Sequence, residues 1–270
     1  MEQGLYLYCI IPASQVNFAE EGIQIISYKD IAAAVEKTTI DDFREEAFKS
    51  KAEKDIKWLE EKVMRHNNVI SKYAEKTTVI PMKFGTIFKT EESLENMLEE
   101  KYQNFLEIIL NLDGKEEWGV KVYCDANKFK EELTRSNQHI KDIDLAIKGK
   151  SEGAAYFLKR KRESLIFEES EKKMNEDATA IHAELVKFAD KSCLNKLQLK
   201  ELTKKEAEMT LNGAYLILKE KIDEFKSKVS DLQRTYADSG LELEISGPWP
   251  AYSFASLSPE LVEGARESNE

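Results

Sequence analysis

Apolar residues follow two patterns along the chain, short continuous runs and a helical period, and the short runs predict strands. The run from Leu5 to Ile11 is continuously apolar and ends at Pro12, which is typical of a buried strand. A polar loop separates it from a second predicted strand, Ile23 to Tyr28. Residues 30–38 continue as a further strand or as a short helix followed by a strand. The chain therefore begins as a sheet.

A helical period replaces this pattern in residues 50–76. Apolar side chains recur there at spacings of three, four and seven residues, and His66 lies on the same stripe. The apolar positions are Ile56, Leu59, Val63, Ile70 and Tyr73. A second helix is predicted to begin at Thr90 with Ser93 and to end at Gly114. We expect both helices to cover the sheet.

Residues 77–88, between the two helices, are strand-like in composition. Pro81 interrupts them, and Gly85 marks a bulge or a close approach of two backbones. Lys83 is charged in an otherwise apolar stretch. It is either a structural guard of an edge strand or half of a buried ion pair, which we favour, or else a ligand for a carboxylate. The run Trp118 to Cys124 predicts one more strand.

The second half of the chain is mostly helical from residue 126 to residue 190. Residues 159–177 carry six basic and six acidic residues and only a thin apolar stripe. A helix of this kind is solvated on most sides, often in a two-helix arm, which we place at about residues 150–190.

The end of the chain reads as strand, helix, strand. Met209 to Leu218 predicts a strand, residues 219–240 a helix, and LELEI at Leu241 to Ile245 alternates leucine or isoleucine inward with glutamate outward. We therefore predict an α+β fold of two domains, residues 1–125 and 126–254. A flexible tail, residues 255–270, follows, in which Ser258–Pro259 can begin a short helix.

Composition adds limits on size and on partners. The chain has 270 residues, 41% of them hydrophobic, which suits two domains with real cores. Its formal net charge is −11. Duplex nucleic acid and anionic membranes attract basic surfaces, so we expect neither as a partner. No apolar run approaches the roughly 18 residues of a membrane span, and the N-terminus lacks the features of a signal peptide. We expect a soluble cytoplasmic protein.

Local motifs for catalysis or for metal and cofactor binding are absent. The GKS triplet at Gly149–Ser151 lacks the earlier glycine of a phosphate loop and has Asp144 in its place, so we interpret it as a linker that opens a helix. His66, His139 and His182 show no chelating spacing. No acidic residue stands in an otherwise apolar strand end, where burial would raise its pKa. The sequence predicts no enzyme, no cofactor and no metal.

His66 has two readings. Because it shares the apolar stripe of its helix, it is either a histidine at the edge of the core, hydrogen-bonded to a backbone carbonyl, or a functional residue. We favour the first. Three scattered cysteines, with no CxxC pair among them, predict no disulfide framework.

The most rigid and most aromatic stretch is GPWPAYSF, residues 247–254. Proline restricts its own backbone and that of its predecessor, so Pro248 and Pro250 predict a stiff, extended strut around Trp249. Two roles are open. Trp249 either inserts into the core of its own domain or into the domain seam as an internal plug, or it stays partly exposed with Tyr252 and Phe254 and binds a partner protein.

The same stretch resembles GPWPPYSF, the C-terminal signature of the GvpF/GvpL family of gas vesicle accessory proteins. Five more blocks agree in order, so that the resemblance spans residues 4–254: YLYCII, RHNNVI, VIPMKFGTIF, EEWGVKVYCD and EGAAYFLKRK. The motif positions in the matching blocks include His66, Pro81, Lys83, Phe84, Gly85 and Gly247. Two residues depart from the family pattern: Ala251 replaces a proline, and Lys83 stands where arginine is common.

The resemblance implies that the second domain is ferredoxin-like and carries a long helical, coiled-coil-like arm. It also implies a non-enzymatic role in building gas vesicles, the hollow protein-walled flotation organelles of some prokaryotes. We expect an assembly factor that binds the hydrophobic shell protein and other accessory proteins, located in the cytoplasm with the vesicles. An apolar shell protein needs shielding before it joins the wall. The alternative is a minor structural constituent of the vesicle wall. The expected contact residues are Trp249, Pro248, Pro250, Tyr252 and Phe254.

Overall fold

The computed structural model describes residues 2–16 and 20–255. They form two compact units: the first contains the described residues up to Glu117 and those from Pro248 onward, and the second is Trp118–Gly247. The predicted boundary between residues 125 and 126 differs from this division, because the chain leaves the first unit within the strand Lys115–Cys124 and re-enters it at Pro248. The predicted tail, apart from Ala255, lies outside the described residues.

The sheet of the first unit is built around β1 (Gln3–Pro12). It pairs antiparallel with β3 (Ile31–Thr39), which pairs in turn with β2 (Gln24–Tyr28). Residues 31–39 therefore form a strand, the first of the two alternatives for this stretch. On its other side β1 pairs with two short strands, β4 (Ile80–Pro81) and β5 (Ile87–Phe88).

Four α-helices belong to the described part of this unit: α1 (Glu45–Lys54), α2 (Ile56–Ala74), α3 (Glu91–Glu100) and α4 (Tyr102–Leu112). The prediction of one continuous helix over residues 50–76 is wrong at Asp55, which leaves the helical backbone and caps α2 by accepting a hydrogen bond from the Trp58 N–H at 3.0 Å. The next predicted helix is likewise interrupted at Lys101. Its reciprocal cap by Thr90 and Ser93 is confirmed.

The helices bury both faces of β1, which explains its continuous apolar run. One face packs with α2 in a core that includes Tyr6, Ile11, Val69, Ile70 and Tyr73. Leu7 and Ile10 of β1 do not belong to this core and are also fully buried. α4 packs against β1 and β3, and its Phe105 is fully buried.

The predicted strand over residues 77–88 survives only at β4 and β5. The chain between them makes a turn at Phe84–Gly85, where Gly85 has φ +84°. Lys83 is exposed beside this turn, and its carbonyl accepts from the Thr86 hydroxyl at 2.7 Å. Lys83 has no ion-pair partner among the described residues. It is therefore not half of a buried ion pair, and it lies beside a turn rather than within a strand.

The second unit holds a four-stranded sheet of order β7-β8-β6-β9. Its strands are β6 (Lys115–Cys124), β7 (Lys191–Leu194), β8 (Glu208–Leu218) and β9 (Leu241–Trp249). The predicted alternation is confirmed in β9, where Leu241 and Leu243 are buried and Glu242 is exposed. β7 was not predicted, because four residues of mixed polarity carry no clear period.

The helices of this unit are α5 (Ala126–Ser136), α6 (Gln138–Ile147), α7 (Glu152–Val186), α8 (Lys200–Thr203) and α9 (Ile222–Tyr236). α7 has 35 residues, a length of about 52 Å at 1.5 Å per residue. Its last turns join the core through Ala178, Ile181 and Leu185, whereas its first half is mostly exposed with α6 packed beside it. The GKS triplet lies in the connection between α6 and α7, as the linker interpretation predicts.

No helix in residues 2–16 and 20–255 is long and apolar enough to cross a bilayer. The three cysteines are free thiols, and Cys9 and Cys124 are buried in β1 and β6.

A substitution at Gly4 would test how tightly β1 is enclosed. A Cβ atom at this position would lie 2.7 Å from an Ile40 side-chain carbon and 2.7 Å from the Phe88 carbonyl oxygen. Backbone would have to move, so we expect Gly4→Ala to lower the free energy of unfolding by about 1–3 kcal/mol. Urea denaturation followed by circular dichroism measures this difference.

Gly153→Ala is the matched control. Gly153 lies in the first turn of α7, and a Cβ atom there meets nothing within 4 Å, so this variant should not lower the free energy of unfolding. Unchanged stability of the Gly4→Ala protein would contradict the tight enclosure of β1.

Candidate interaction site

Residues 248–255, termed the C-terminal segment, reverse direction at the end of β9. The chain stays extended through Trp249, as the flanking prolines predict, and then turns. The Tyr252 N–H donates to the Pro250 carbonyl at 2.7 Å, and the Ala255 N–H donates to the Ala251 carbonyl at 2.9 Å. The aromatic residues of the signature thus lie on a strand end and on a tight turn.

A buried carboxylate holds this turn in place. Glu117 of β6 is buried, and its two oxygens accept hydrogen bonds from the Ser253 N–H (2.9 Å) and the Ser253 hydroxyl (2.7 Å). Burial raises the pKa of Glu117, and the two donors from Ser253 oppose that rise. The sequence predicted the absence of such a carboxylate only at apolar strand ends, whereas Glu117 lies at the polar start of β6, beside Lys115 and Glu116.

A buried histidine makes the second attachment. His66 on α2 is 3% exposed. Its Nδ1 lies 2.9 Å from the Tyr6 hydroxyl and its Nε2 lies 3.4 Å from the Tyr252 hydroxyl. The Gly85 N–H donates to the same Tyr6 hydroxyl at 2.9 Å. These polar contacts connect β1, α2, the turn before β5 and the C-terminal segment.

The groups in this chain of contacts are neutral at pH 7. Burial lowers the pKa of His66 from 6.5 to about 4, opposed by a hydrogen bond with the Met82 backbone. Burial also raises the pKa of Tyr6 above its usual range and that of Tyr252 to about 12. Hydrogen bonding rather than charge therefore links His66 to the tyrosines. The burial of His66 and its hydrogen bond with the backbone agree with the first of its two interpretations, a histidine of the core. The contact with Tyr252 is an additional feature of this site.

Aromatic rings surround His66 and extend toward the surface. The ring centroids of Tyr6, Tyr8 and Phe84 lie 5.7, 5.8 and 5.5 Å from that of His66. From Phe84 the cluster continues to Phe48 at 6.1 Å and on to Trp58, 5.8 Å beyond. Phe48, Trp58 and Phe84 are half-buried, so the cluster is part core and part surface.

Trp249 and Tyr252 are the exposed aromatic members of the C-terminal segment. Trp249 is 53% exposed and Tyr252 is 41% exposed, whereas Phe254 is half-buried. Trp249 is therefore not buried in the core of its unit. The segment is fastened through Ser253 and the Tyr252 hydroxyl, which leaves the indole ring largely outside the core.

The other motif positions are divided between this site and the scaffold. Phe84 lies beside His66 and Gly85 bonds Tyr6, as described above, whereas Lys83 is exposed to solvent. Pro81 is opposite Cys9 in the sheet. Gly247, at φ +134°, lies in β9 before the exposed Pro248, and Pro250 is half-buried.

Tyr6, Glu117 and Ser253 are the site residues that sequence reasoning missed. Tyr6 stands in a run of strand-forming residues and Glu117 in an acidic pair, so neither has a local signal that separates it from its neighbours. Within the described ranges no group of three or more histidine, cysteine, aspartate or glutamate residues could hold a metal ion. The arrangement is suited to holding a surface in place.

The sequence and the structure were compared with known protein families and solved structures. The family model for "Gas vesicle synthesis protein GvpL/GvpF" matches residues 4–256. The chain belongs to this family. It is 23% identical over 259 residues to gas vesicle protein L of a Streptomyces species, covering 96% of this chain and 92% of that protein. It is 25% identical over 279 residues to gas vesicle protein F1 of Halobacterium salinarum, covering 98% of this chain and 100% of that protein.

Two solved structures have the same fold. The crystal structure of GvpF from Anabaena sp. PCC7120 aligns with a TM-score of 0.68 at 19% identity, over 95% of this chain and 99% of that one. GvpF from Microcystis aeruginosa aligns with a TM-score of 0.62 at 19% identity, over 94% and 99%. The shared architecture is mixed helix and sheet with two antiparallel sheets. Membership of the GvpL/GvpF family supports a role in gas vesicle formation.

Titration of His66 should make the stability of the first unit depend on pH. The folded state disfavours the protonated imidazole, so its contribution is complete above pH 6.5 and is lost as the pH falls to about 4. The full loss is about 3 kcal/mol. We expect His66→Gln to remove this part of the slope in urea denaturation measured between about pH 7 and pH 4.5.

Glu117 contributes to the same curve with the opposite sign, because its raised pKa favours folding at low pH. The quantity to compare is therefore the difference between the variant and the wild type. His139→Gln, at an exposed histidine of α6, controls for the substitution itself. Equal slopes for the wild type and His66→Gln would refute the role of His66.

Glu117→Gln should loosen the C-terminal segment. The amide oxygen can still accept from the Ser253 N–H, but the NH₂ group meets the Ser253 hydroxyl, which must then turn from donor to acceptor. The negative charge of the carboxylate, which strengthens both hydrogen bonds, is lost. We expect the amides of Phe254 and Ala255 to exchange with solvent about tenfold faster or more, measured by hydrogen exchange. Glu107→Gln, at an exposed position of α4, is the control and should leave exchange unchanged. Full protection in Glu117→Gln would show that the carboxylate does not hold the turn.

Proposed function

We propose that this protein is a gas vesicle assembly factor that binds the hydrophobic shell protein and other gas vesicle accessory proteins during vesicle formation. The family match supports the setting. The observation that carries the finer proposal is the exposure of Trp249 and Tyr252 on a segment that Glu117 and His66 hold in place.

An anchored aromatic surface is a good binding site for an apolar partner. Tryptophan and tyrosine supply much of the binding energy of protein interfaces. Because the turn is already ordered, binding loses little further conformational entropy. The strongly acidic remainder of the chain would oppose aggregation of the complex. These properties match the task of shielding a shell protein before it joins the wall.

We infer further that the second unit is ferredoxin-like and that α6 and α7 form a coiled-coil-like arm. The strand order β7-β8-β6-β9, with helices between β6 and β7 and between β8 and β9, supports the first inference. The packing of α6 along α7 supports the second. We infer a non-enzymatic role in the cytoplasm at the vesicles, since the family is one of gas vesicle accessory proteins.

Trp249→Ala tests the proposed function. The tagged chain is co-expressed with the gas vesicle shell protein, and shell protein is recovered by pull-down from the soluble fraction. We expect the wild type to recover it and the variant to bind about 30-fold more weakly, a loss of about 2 kcal/mol. The free energy of unfolding should change by less than the roughly 3–5 kcal/mol of a buried tryptophan, because Trp249 is largely exposed.

Leu110→Ala is the matched control, since Leu110 is an exposed apolar residue of α4 in the same unit. Undiminished recovery of shell protein by the folded Trp249→Ala variant would exclude this surface. If the intact wild type recovers no shell protein but stays with washed, floating vesicles, the proposal fails in favour of a wall constituent.

A further inference from the structure

A second apolar surface lies on the second unit, around β7. Residues 191–204, termed the leucine edge, display the side chains of Leu194, Leu197, Leu199 and Leu202, with exposed fractions from 55% at Leu197 to 74% at Leu202. Single exposed leucines are common on protein surfaces, but four within one short stretch form a patch. Nothing in the proposed role of the C-terminal segment uses this patch.

The leucine edge is fixed to the sheet rather than loosely attached. β7 pairs with β8, and beyond it the Asn195 N–H donates to the Asn212 carbonyl at 2.8 Å. The Asn212 amide donates in return to the Lys196 carbonyl at 2.8 Å, and the Lys121 ammonium donates to the Gln198 side chain at 3.1 Å. These contacts hold the backbone of the patch in one place, so its leucines stay directed outward.

β7 is also an edge strand. It is the terminal member of the order β7-β8-β6-β9, so one side of it faces no further strand in the part of the chain that the structure describes. An edge strand presents N–H and C=O groups that can pair with an added strand. Leu197 and Leu199 follow β7 outside regular secondary structure, and both are exposed close to this edge in the sequence. The edge thus offers main-chain pairing beside an apolar strip.

The charge of the leucine edge is opposite to that of the whole chain. It carries four exposed lysines and one glutamate, a net charge of +3, so that −11 for the chain leaves −14 for the rest. The lysines are Lys191, Lys196, Lys200 and Lys204. They have no ion-pair partners among the described residues, whereas the neighbouring Lys205 pairs with Glu242 and Glu244. The unpaired lysines are available to an acidic partner.

We infer that the leucine edge binds an acidic, extended segment of another protein, which pairs with β7 and packs apolar side chains against the leucines. A second copy of this chain would fit less well, because a two-fold contact would bring the two sets of lysines together. An anionic lipid surface would be attracted by the lysines but repelled by the −14 of the remaining chain. This inference does not depend on the role of Trp249.

The test uses the full-length protein and two labelled peptides, one alternating leucine with glutamate and one alternating leucine with lysine. Fluorescence anisotropy should show saturable binding of the acidic peptide only. Leu197→Ser with Leu199→Ser, and separately Lys196→Glu with Lys200→Glu, should each weaken it by about tenfold or more. Raising NaCl from about 50 to about 300 mM should also weaken binding, because salt screens exposed charges.

Leu110→Ser and the pair Lys148→Glu with Lys150→Glu are the matched controls, at exposed positions outside residues 191–204, and should bind the acidic peptide like the wild type. Circular dichroism checks that every variant is folded. Equal binding of the acidic peptide by the wild type and the leucine variant overturns the inference, as does equal binding of the two peptides. Absence of peptide binding also overturns it. In that case leucine-dependent self-association in sedimentation equilibrium, or leucine-dependent binding to phosphatidylglycerol vesicles, identifies the alternative occupant.

Discussion

A neutral histidine and a buried carboxylate connect the beginning and the end of the chain within the first unit. His66 lies between the hydroxyls of Tyr6 and Tyr252, and Glu117 accepts both donors of Ser253. A buried polar group that loses its partner destabilises the protein by about 1–3 kcal/mol, more if it is charged. Glu117 therefore depends on Ser253, and His66 on the hydroxyls of Tyr6 and Tyr252. That requirement fixes the turn of the C-terminal segment, although most of its own side chains are only partly buried.

Different residues attach the C-terminal segment to its unit and form its exposed surface. Had Trp249 supplied the attachment by entering the core, the same side chain could not have served a partner. Instead the serine and the tyrosine hydroxyl make the attachment, and the indole ring remains half exposed. The aromatic cluster from Phe84 to Trp58 lies in the same unit, and its rings are only half-buried. A surface held this way is ordered before a partner arrives, which suits binding of an apolar protein that must not be left uncovered.

The second unit has a sheet with a covered face and an exposed edge strand. Its sheet is covered by α7 and α9, whose apolar residues enter one core with those of β6, β8 and β9. The edge strand β7 is short and is flanked by lysines, which are features that discourage unspecific pairing of sheet edges. Its leucines nevertheless remain exposed, so charge at this edge selects among partners rather than excluding all of them.

Period and composition determined most of the elements of this protein. The apolar run of β1, the alternation of β9 and the stripe of α9 follow from which local backbone can bury those side chains, and the GPWPAYSF stretch pointed to the family. Only the tertiary structure decided the break at Asp55, the existence of β7, the exposure of Lys83 and Trp249, and the burial of Glu117. The burial of Glu117 and the position of the C-terminal segment depend on partners far away in the chain: Ser253 lies 136 residues from Glu117, and Tyr252 lies 186 residues from His66. Local sequence carries no record of such neighbours, because burial and hydrogen-bond satisfaction are properties of the assembled fold.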